Sequence, residues 1–217
     1  KYPEAVDPTV FNRVVLNPMA KKSDFKGALG VAVLGAGGFA KAMHLPNITS
    51  QGKNFSLEAI VSRTGHNAVA TAKQFGAKYS STDISEVLKD DNVDTVFITT
   101  RHNLHADQAL QALKAGKHVL LEKPLSMTRE ELKSIEEFYS EKSSKPILLT
   151  GFNRRFSKHI SKVKEMVEGR TNPMIINYRM NAGYIPQDHW VHGKEGGGRN
   201  IGEAGHIYDL FNHLVDS

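Results

Sequence analysis

The chain has 217 residues, 40% hydrophobic and 24% charged, the balance of a globular protein of one domain or two small ones and not of a disordered chain. It contains no cysteine, which excludes disulfides, thiolate metal sites and cysteine nucleophiles, and no apolar run reaches the ~18–20 residues of a membrane helix. The net charge of +5 comes from dispersed Lys and Arg with no basic cluster interleaved with aromatics, so no nucleic-acid partner is expected and an anionic small ligand accounts for the surplus.

Residues 1–27 carry Pro3, Pro8 and Pro18 without sustained periodicity and read as a linker or N-terminal arm. The start lacks Met, and the helical run Ile207–Val215 stops two residues before the end, so a fragment of a longer protein is expected. Lys1–Glu4 shows no apolar signal core, which makes a cytoplasmic setting the default expectation.

From residue 28 the pattern alternates. Leu29–Leu34 is a predicted buried strand, followed by a helix over Phe39–Ser50 that Pro46 ends or kinks. Next come a strand at Leu57–Val61, a helix at Asn67–Phe75 closed by Gly76, a short strand at Ala77–Tyr79 and a helix at Ile84–Lys89. The series continues with a strand at Asp94–Thr99, a helix at His105–Ala115 capped by Gly116, a strand at His118–Leu121, a helix at Thr128–Lys142 and a strand at Pro146–Thr150. Such alternation predicts an α/β fold, a doubly wound parallel sheet over residues 28–150. After Gly151 the rhythm breaks into a basic helix (Phe156–Glu168), an extended stretch (Met174–Met180), a loop and a last helix. Residues 151–217 therefore read as the beginning of a second, incomplete domain.

The first strand runs into Gly35-Ala36-Gly37-Gly38-Phe39-Ala40, a G-x-G-x-x-A turn. Gly35 permits the tight turn, Gly37 lets the backbone approach a pyrophosphate, and Ala40 allows close helix–strand packing, while the helix start offers free N–H groups. After the second strand, where a carboxylate would hold a free ribose 2′-hydroxyl, the chain has Ser62 and Arg63. A hydroxyl and a guanidinium suit a 2′-phosphate, which favours NADP slightly over NAD. Glu122-Lys123-Pro124 ends the fifth strand, at the carboxyl edge where open α/β sheets bind ligands. His102/His105 and His189/His192 lie three apart, and His206, Asp209 and His213 share a helix face, but no metal signature accompanies them and no metal is expected. Tyr178, Tyr184 and Trp190 are candidates to border a sugar or to pack as core or interface, and Gly193–Gly198 reads as a mobile loop.

The segments GAGGFAKAMHLPN (Gly35–Asn47), VDTVFITTRHNLHADQALQALKAGKHVLLEKPL (Val93–Leu125), GFNRRF (Gly151–Phe156) and GGGRNIGEAGHIYDL (Gly196–Leu210) resemble the Gfo/Idh/MocA family of nicotinamide-dependent sugar and polyol oxidoreductases. The resemblance implies a Rossmann domain at 28–150 followed by the start of an α+β substrate and oligomerisation domain at 151–217. The N-terminal arm also looks like the joint of proteins that fuse an alcohol-dehydrogenase-like module ahead of this one. It implies Lys123 as the catalytic lysine, His206 as general acid or base, and Asn153, Arg155 and Asp209 on the substrate side. Thr99, Thr100, His102, His105 and Glu122 would join Lys123 and the glycine turn around the nicotinamide; Arg101 stands where the family has proline. Many members carry aspartate four residues before the histidine; Gly202 occupies that position, with Glu203 next to it, which puts a full proton relay in doubt. The expected activity is hydride transfer between NADP or NAD and a sugar, nucleotide-sugar or polyol carbon, with a homo-oligomer in the full-length protein. The alternative is a non-catalytic dinucleotide-binding module or an inactive fragment.

Overall fold

The computed structural model describes residues 14–20, 27–141 and 145–215. Residues 1–13 and 21–26 of the expected arm, and the helix end at Lys142, lie outside them. Among the described residues seven strands form one sheet: β1 (Val14–Leu16), β2 (Leu29–Leu34), β3 (Phe55–Val61), β4 (Tyr79–Ser81), β5 (Thr95–Ile98), β6 (His118–Leu121) and β7 (Leu148–Thr150). Their spatial order is β1-β4-β3-β2-β5-β6-β7, parallel throughout except that β1 runs antiparallel to β4. The connecting helices are α1 (Leu45–Ser50), α2 (Gly65–Phe75), α3 (Ile84–Leu88), α4 (His105–Lys114) and α5 (Arg129–Glu141).

The central strand shows why the sheet is covered on both faces. Alternate side chains of a strand point to opposite sides. Val31 and Val33 pack with Ala40, Leu45, Ile48 and Ala72 in one core; Ala32 and Leu34 pack with Ala109, Leu113 and Phe138 in another. A strand buried on both faces needs apolar residues at every position, and LGVAVL supplies them. Gly30 lies so close to the Asn92 carbonyl that a side chain at this point would collide with it.

Three elements differ from the sequence expectation. The first helix contains a widened π turn at Ala40–His44, and Pro46 then opens α1 instead of ending the helix. Proline lacks the N–H that a continuing α-helix would use, and first-turn positions do not require one. The third parallel strand runs Tyr79–Ser81 and not Ala77–Tyr79, because the register pairs Tyr79 with Ala59 and Ser81 with Val61. Val14–Leu16, inside the stretch read as an arm, is a sheet strand, tied down next door by Asn17, whose side-chain amide donates to the carbonyls of Ala72 (3.1 Å) and Ala77 (2.7 Å).

Beyond Gly151 the chain forms short helical turns at Asn153–Phe156, Trp190–His192 and Asn200–Ala204, and helices α6 (Lys158–Val167) and α7 (Gly205–Val215). No strand occurs there among the described residues. Helix α7 packs against the Asn153–Phe156 turn and α6, which brings its N-terminal end to the carboxyl edge of the sheet.

Candidate active site

Strand order reverses between β2 and β5, so the loops leaving these two strands diverge and open a crevice. A cleft of about 890 Å³ occupies it. Its walls are the glycine turn Gly35–Phe39, Ser62 and Arg63 after β3, Thr99 to His105 after β5, Glu122 and Lys123 after β6, and Asn153, Trp190, Glu195 and His206 from the later segment.

The glycine turn is shaped for a close ligand. Gly35 has φ +94°, and a Cβ on it would lie 2.7 Å from the Thr99 carbonyl, so only glycine fits. Gly37 and Gly38 are different: a Cβ on either would meet nothing within 4 Å, because both face the open cleft. The amides of the following helical turn have no intrahelical acceptor and carry the positive end of the helix dipole. This bare, electropositive backbone fits a dinucleotide diphosphate. Ala40 is fully buried beneath it.

At the far end, Ser62 and Arg63 line the cleft beside Asn67, a residue that no sequence motif marks. The Asn67 side-chain amide donates to the Ala36 carbonyl and to Ser62 Oγ, both at 3.0 Å, and its oxygen accepts from Lys41 Nζ at 2.8 Å. No motif announces the contacts to Ala36 and Lys41, because they join residues 31 and 26 positions apart.

Around the reacting end, Lys123 Nζ donates to the Gly202 carbonyl oxygen at 2.9 Å. The position where the family often has aspartate thus supplies the lysine's partner from its backbone, and a Cβ there would press within 3.2 Å of His102. Burial holds the Lys123 ammonium below its ordinary pKa; Glu122 and Glu203 work against that shift, and Arg154 adds to it. The peptide bond from Lys123 to Pro124 is cis. Glu122 does not pair with the lysine but with His44 Nε2, at 2.8 Å, a partner that only the fold reveals.

His206 is 8% exposed, and its Nδ1 is buried with no hydrogen-bond partner. Burial first, then the charges of Lys123 and Arg154, lower its pKa; Glu122 and Asp209 partly oppose this. An imidazole held neutral thus lines the cleft beside an ammonium, with its Nδ1 buried and unpaired behind it. His105 is enclosed, with Nδ1 2.7 Å from the Pro124 carbonyl and Nε2 3.2 Å from the Thr100 carbonyl. Burial lowers its pKa, and a neutral ring donates to only one of these acceptors, the nearer being Pro124. His102 Nδ1 lies 2.9 Å from the Gly196 carbonyl, and its ring stands edge-on to Trp190. Arg101 stacks over Trp190 at 3.9 Å and reaches Glu195 at 3.4 Å, so the Gly193–Gly198 loop is fastened to the cleft wall.

Two of the expected substrate residues stand apart. Arg155 and Asp209 bind each other through two contacts, one of them Nε to Oδ2 at 2.9 Å, and neither lines the cleft. Asn153 does. Among the described residues no three His, Asp or Glu side chains are placed to hold a metal, and no helix is long and apolar enough to cross a membrane. Tyr184 is largely exposed and Tyr178 pairs with Arg154, both away from the cleft.

A family model described as an oxidoreductase family with an NAD-binding Rossmann fold matches residues 29–150. An uncharacterized oxidoreductase of Schizosaccharomyces pombe is 31% identical over 192 residues, covering 85% of this chain and 49% of that protein. The myo-inositol 2-dehydrogenase of Thermotoga maritima is 39% identical over 100 residues, 46% of this chain and 29% of that protein. Among solved structures, an NAD-binding protein from Listeria innocua superposes with a TM-score of 0.73 at 31% identity, covering 88% of this chain and 56% of the other. The myo-inositol dehydrogenase of Lactobacillus casei, in complex with NAD(H) and myo-inositol, gives 0.60 at 29% identity over 65% of this chain and 41% of that one. A 3-ketoreductase of Actinomadura kijaniata, in complex with NADP and TDP-benzene, gives 0.58 at 28% identity over 65% and 42%. The chain spans about half or less of the length of the curated relatives it matches.

Proposed function

Because the chain belongs to the Gfo/Idh/MocA oxidoreductase family with its NAD-binding Rossmann fold, we propose that it serves hydride transfer between a nicotinamide cofactor and a CH–OH carbon of a sugar, nucleotide-sugar or polyol. The observation that carries this reading is the meeting of Lys123 and the unsatisfied His206 in the same cleft as the glycine turn. The nicotinamide cofactor supplies the hydride acceptor or donor. Gly35–Phe39 would hold its diphosphate, with Ser62 and Arg63 at the adenosine ribose.

In the oxidative direction the substrate hydroxyl must lose a proton. His206, neutral near pH 7 and lining the cleft, is suited to accept it on its imidazole. The half-buried Lys123 ammonium, anchored by the Gly202 carbonyl, keeps further N–H groups for the developing alkoxide oxygen and stabilises its charge. Asn153 and Trp190 would contribute to the substrate wall, and Arg155–Asp209 would brace α7 behind His206. In the full-length protein, Lys123→Ala is expected to lower turnover by roughly 10²–10⁴-fold. Unchanged turnover would reject its role.

The absence of a carboxylate beside Ser62 and Arg63 supports NADP over NAD. Fluorescence titration with NADPH and NADH tests this, and tighter NADH binding reverses it. A cytoplasmic homo-oligomer is the expected state of the complete protein. Gly202 in place of aspartate favours one competing reading, a dinucleotide-binding module without turnover; saturation with NADPH while no polyol or ketone reacts would support it.

A further inference from the structure

Asn67 has a fully committed side chain. Its N–H groups go to Ala36 and Ser62, and because the Ala36 carbonyl only accepts, the orientation of the amide is set and its oxygen must face Lys41. Ser62 Oγ, having accepted from Asn67, keeps its own O–H free to donate. The Lys41 ammonium uses one of its three N–H groups on Asn67. Arg63 lines the cleft immediately after Ser62. Among the described residues neither Lys41 nor Arg63 forms an ion pair, and no carboxylate contacts any member of the group. A free hydroxyl and the Arg63 guanidinium thus line the cleft where the glycine turn meets the end of β3, and a second uncompensated cation, Lys41, stands behind them, joined to the wall through Asn67. A monophosphate ester dianion has the charge and the acceptors to match.

We propose that Lys41, reaching from the Ala40–His44 turn and steered by Asn67, is the second cation of a seat for the 2′-phosphate of NADP. This rests on the reading that the cleft takes a nicotinamide dinucleotide, and it adds a residue outside the glycine turn and the Ser62-Arg63 pair. A free 2′-hydroxyl would draw little from either cation, so the seat selects between the two cofactors without touching the nicotinamide.

The test is calorimetric titration of the full-length protein with 2′,5′-ADP and with 5′-AMP, two probes that differ only in the 2′-phosphate. The wild type is expected to bind 2′,5′-ADP at least about tenfold tighter. Lys41→Met is expected to cut that ratio by about five- to tenfold while 5′-AMP affinity stays within about twofold, and Lys41→Arg to restore most of it. Arg63→Gln in parallel is expected to give a comparable loss. If Lys41→Met weakens both probes equally, or neither, Lys41 serves only the fold or the diphosphate and the proposal is overturned. A wild type that binds both probes alike overturns it and the NADP preference together, yet leaves a dinucleotide site standing. A wild type that binds neither probe, nor NADH, brings down the proposed function itself.

Discussion

His105 and His206 show how one residue type is put to two uses by its surroundings. Both are held below the ordinary histidine pKa chiefly by burial, but His105 has a carbonyl against each ring nitrogen and donates to one of them, while His206 has an idle nitrogen. For His206 the consequence is kinetic. It must be neutral to take a proton, so the rate of alcohol oxidation is expected to rise with pH along a limb lying below pH ~6.5. Arg154 pushes that limb down, and Arg154→Gln is expected to move it upward in a kcat/KM profile; an unmoved limb would remove Arg154 from the field acting on the site. For His105 the consequence is stability. Its folded pKa is lower than its unfolded value, so the unfolded chain binds protons first as the medium acidifies. The contribution is whole above about pH 6.5 and declines as pH falls towards the folded value. His105→Leu is expected to cost about 1–3 kcal/mol near neutrality by orphaning a buried carbonyl, and to flatten the acid slope of a urea-unfolding series. A variant as stable as the parent, with the same slope, would contradict this. Lys123 and His206 were legible as motif positions. Asn67, Lys41 and His44 were not, because each acts through a partner at least 26 residues away, and nothing local in the chain records such a meeting.

At the scale of elements, the glycine turn separates shape from access. Gly35 is needed for the path of the backbone, Gly37 only for what approaches it. Gly35→Ala is expected to destabilise the protein by about 1–3 kcal/mol, since φ +94° strains any L side chain and its Cβ would meet the Thr99 carbonyl. Gly37→Ala is expected to leave Tm within about 2 °C and to weaken NADPH binding by at least about tenfold, as a methyl group enters the space reserved for phosphate. Equal effects of the two substitutions on Tm would show that the turn is structural only. The strands that were easiest to recognise, β2, β3, β5 and β6, are buried runs rich in Val, Ile and Leu. The apolar pattern puts strand β4 two residues early because Ser80 and Ser81, although buried, are polar. Strand β1 has two exposed side chains of three and depends on a partner over sixty residues distant, so VVL alone carried no signal.

Over the whole molecule, the two parts differ in how well they cover their apolar groups. The parallel sheet encloses two continuous cores, whereas Phe156, Met166, Ile175 and Tyr184 beyond it are 69–89% exposed. The chain as it stands is expected to bind a hydrophobic dye such as ANS and to self-associate as concentration rises. Sedimentation showing a lone monomer, with no gain in dye fluorescence, would refute that. The grip of Gly202 on Lys123 has a less obvious consequence. A peptide oxygen does not ionise, so acidity leaves this anchor alone where a carboxylate would let go. Alanine scanning passes over it as well, since no side chain makes it. Its weight would emerge only from backbone chemistry, such as an ester in place of the amide joining Gly202 to Glu203, which leaves a poorer acceptor for the ammonium.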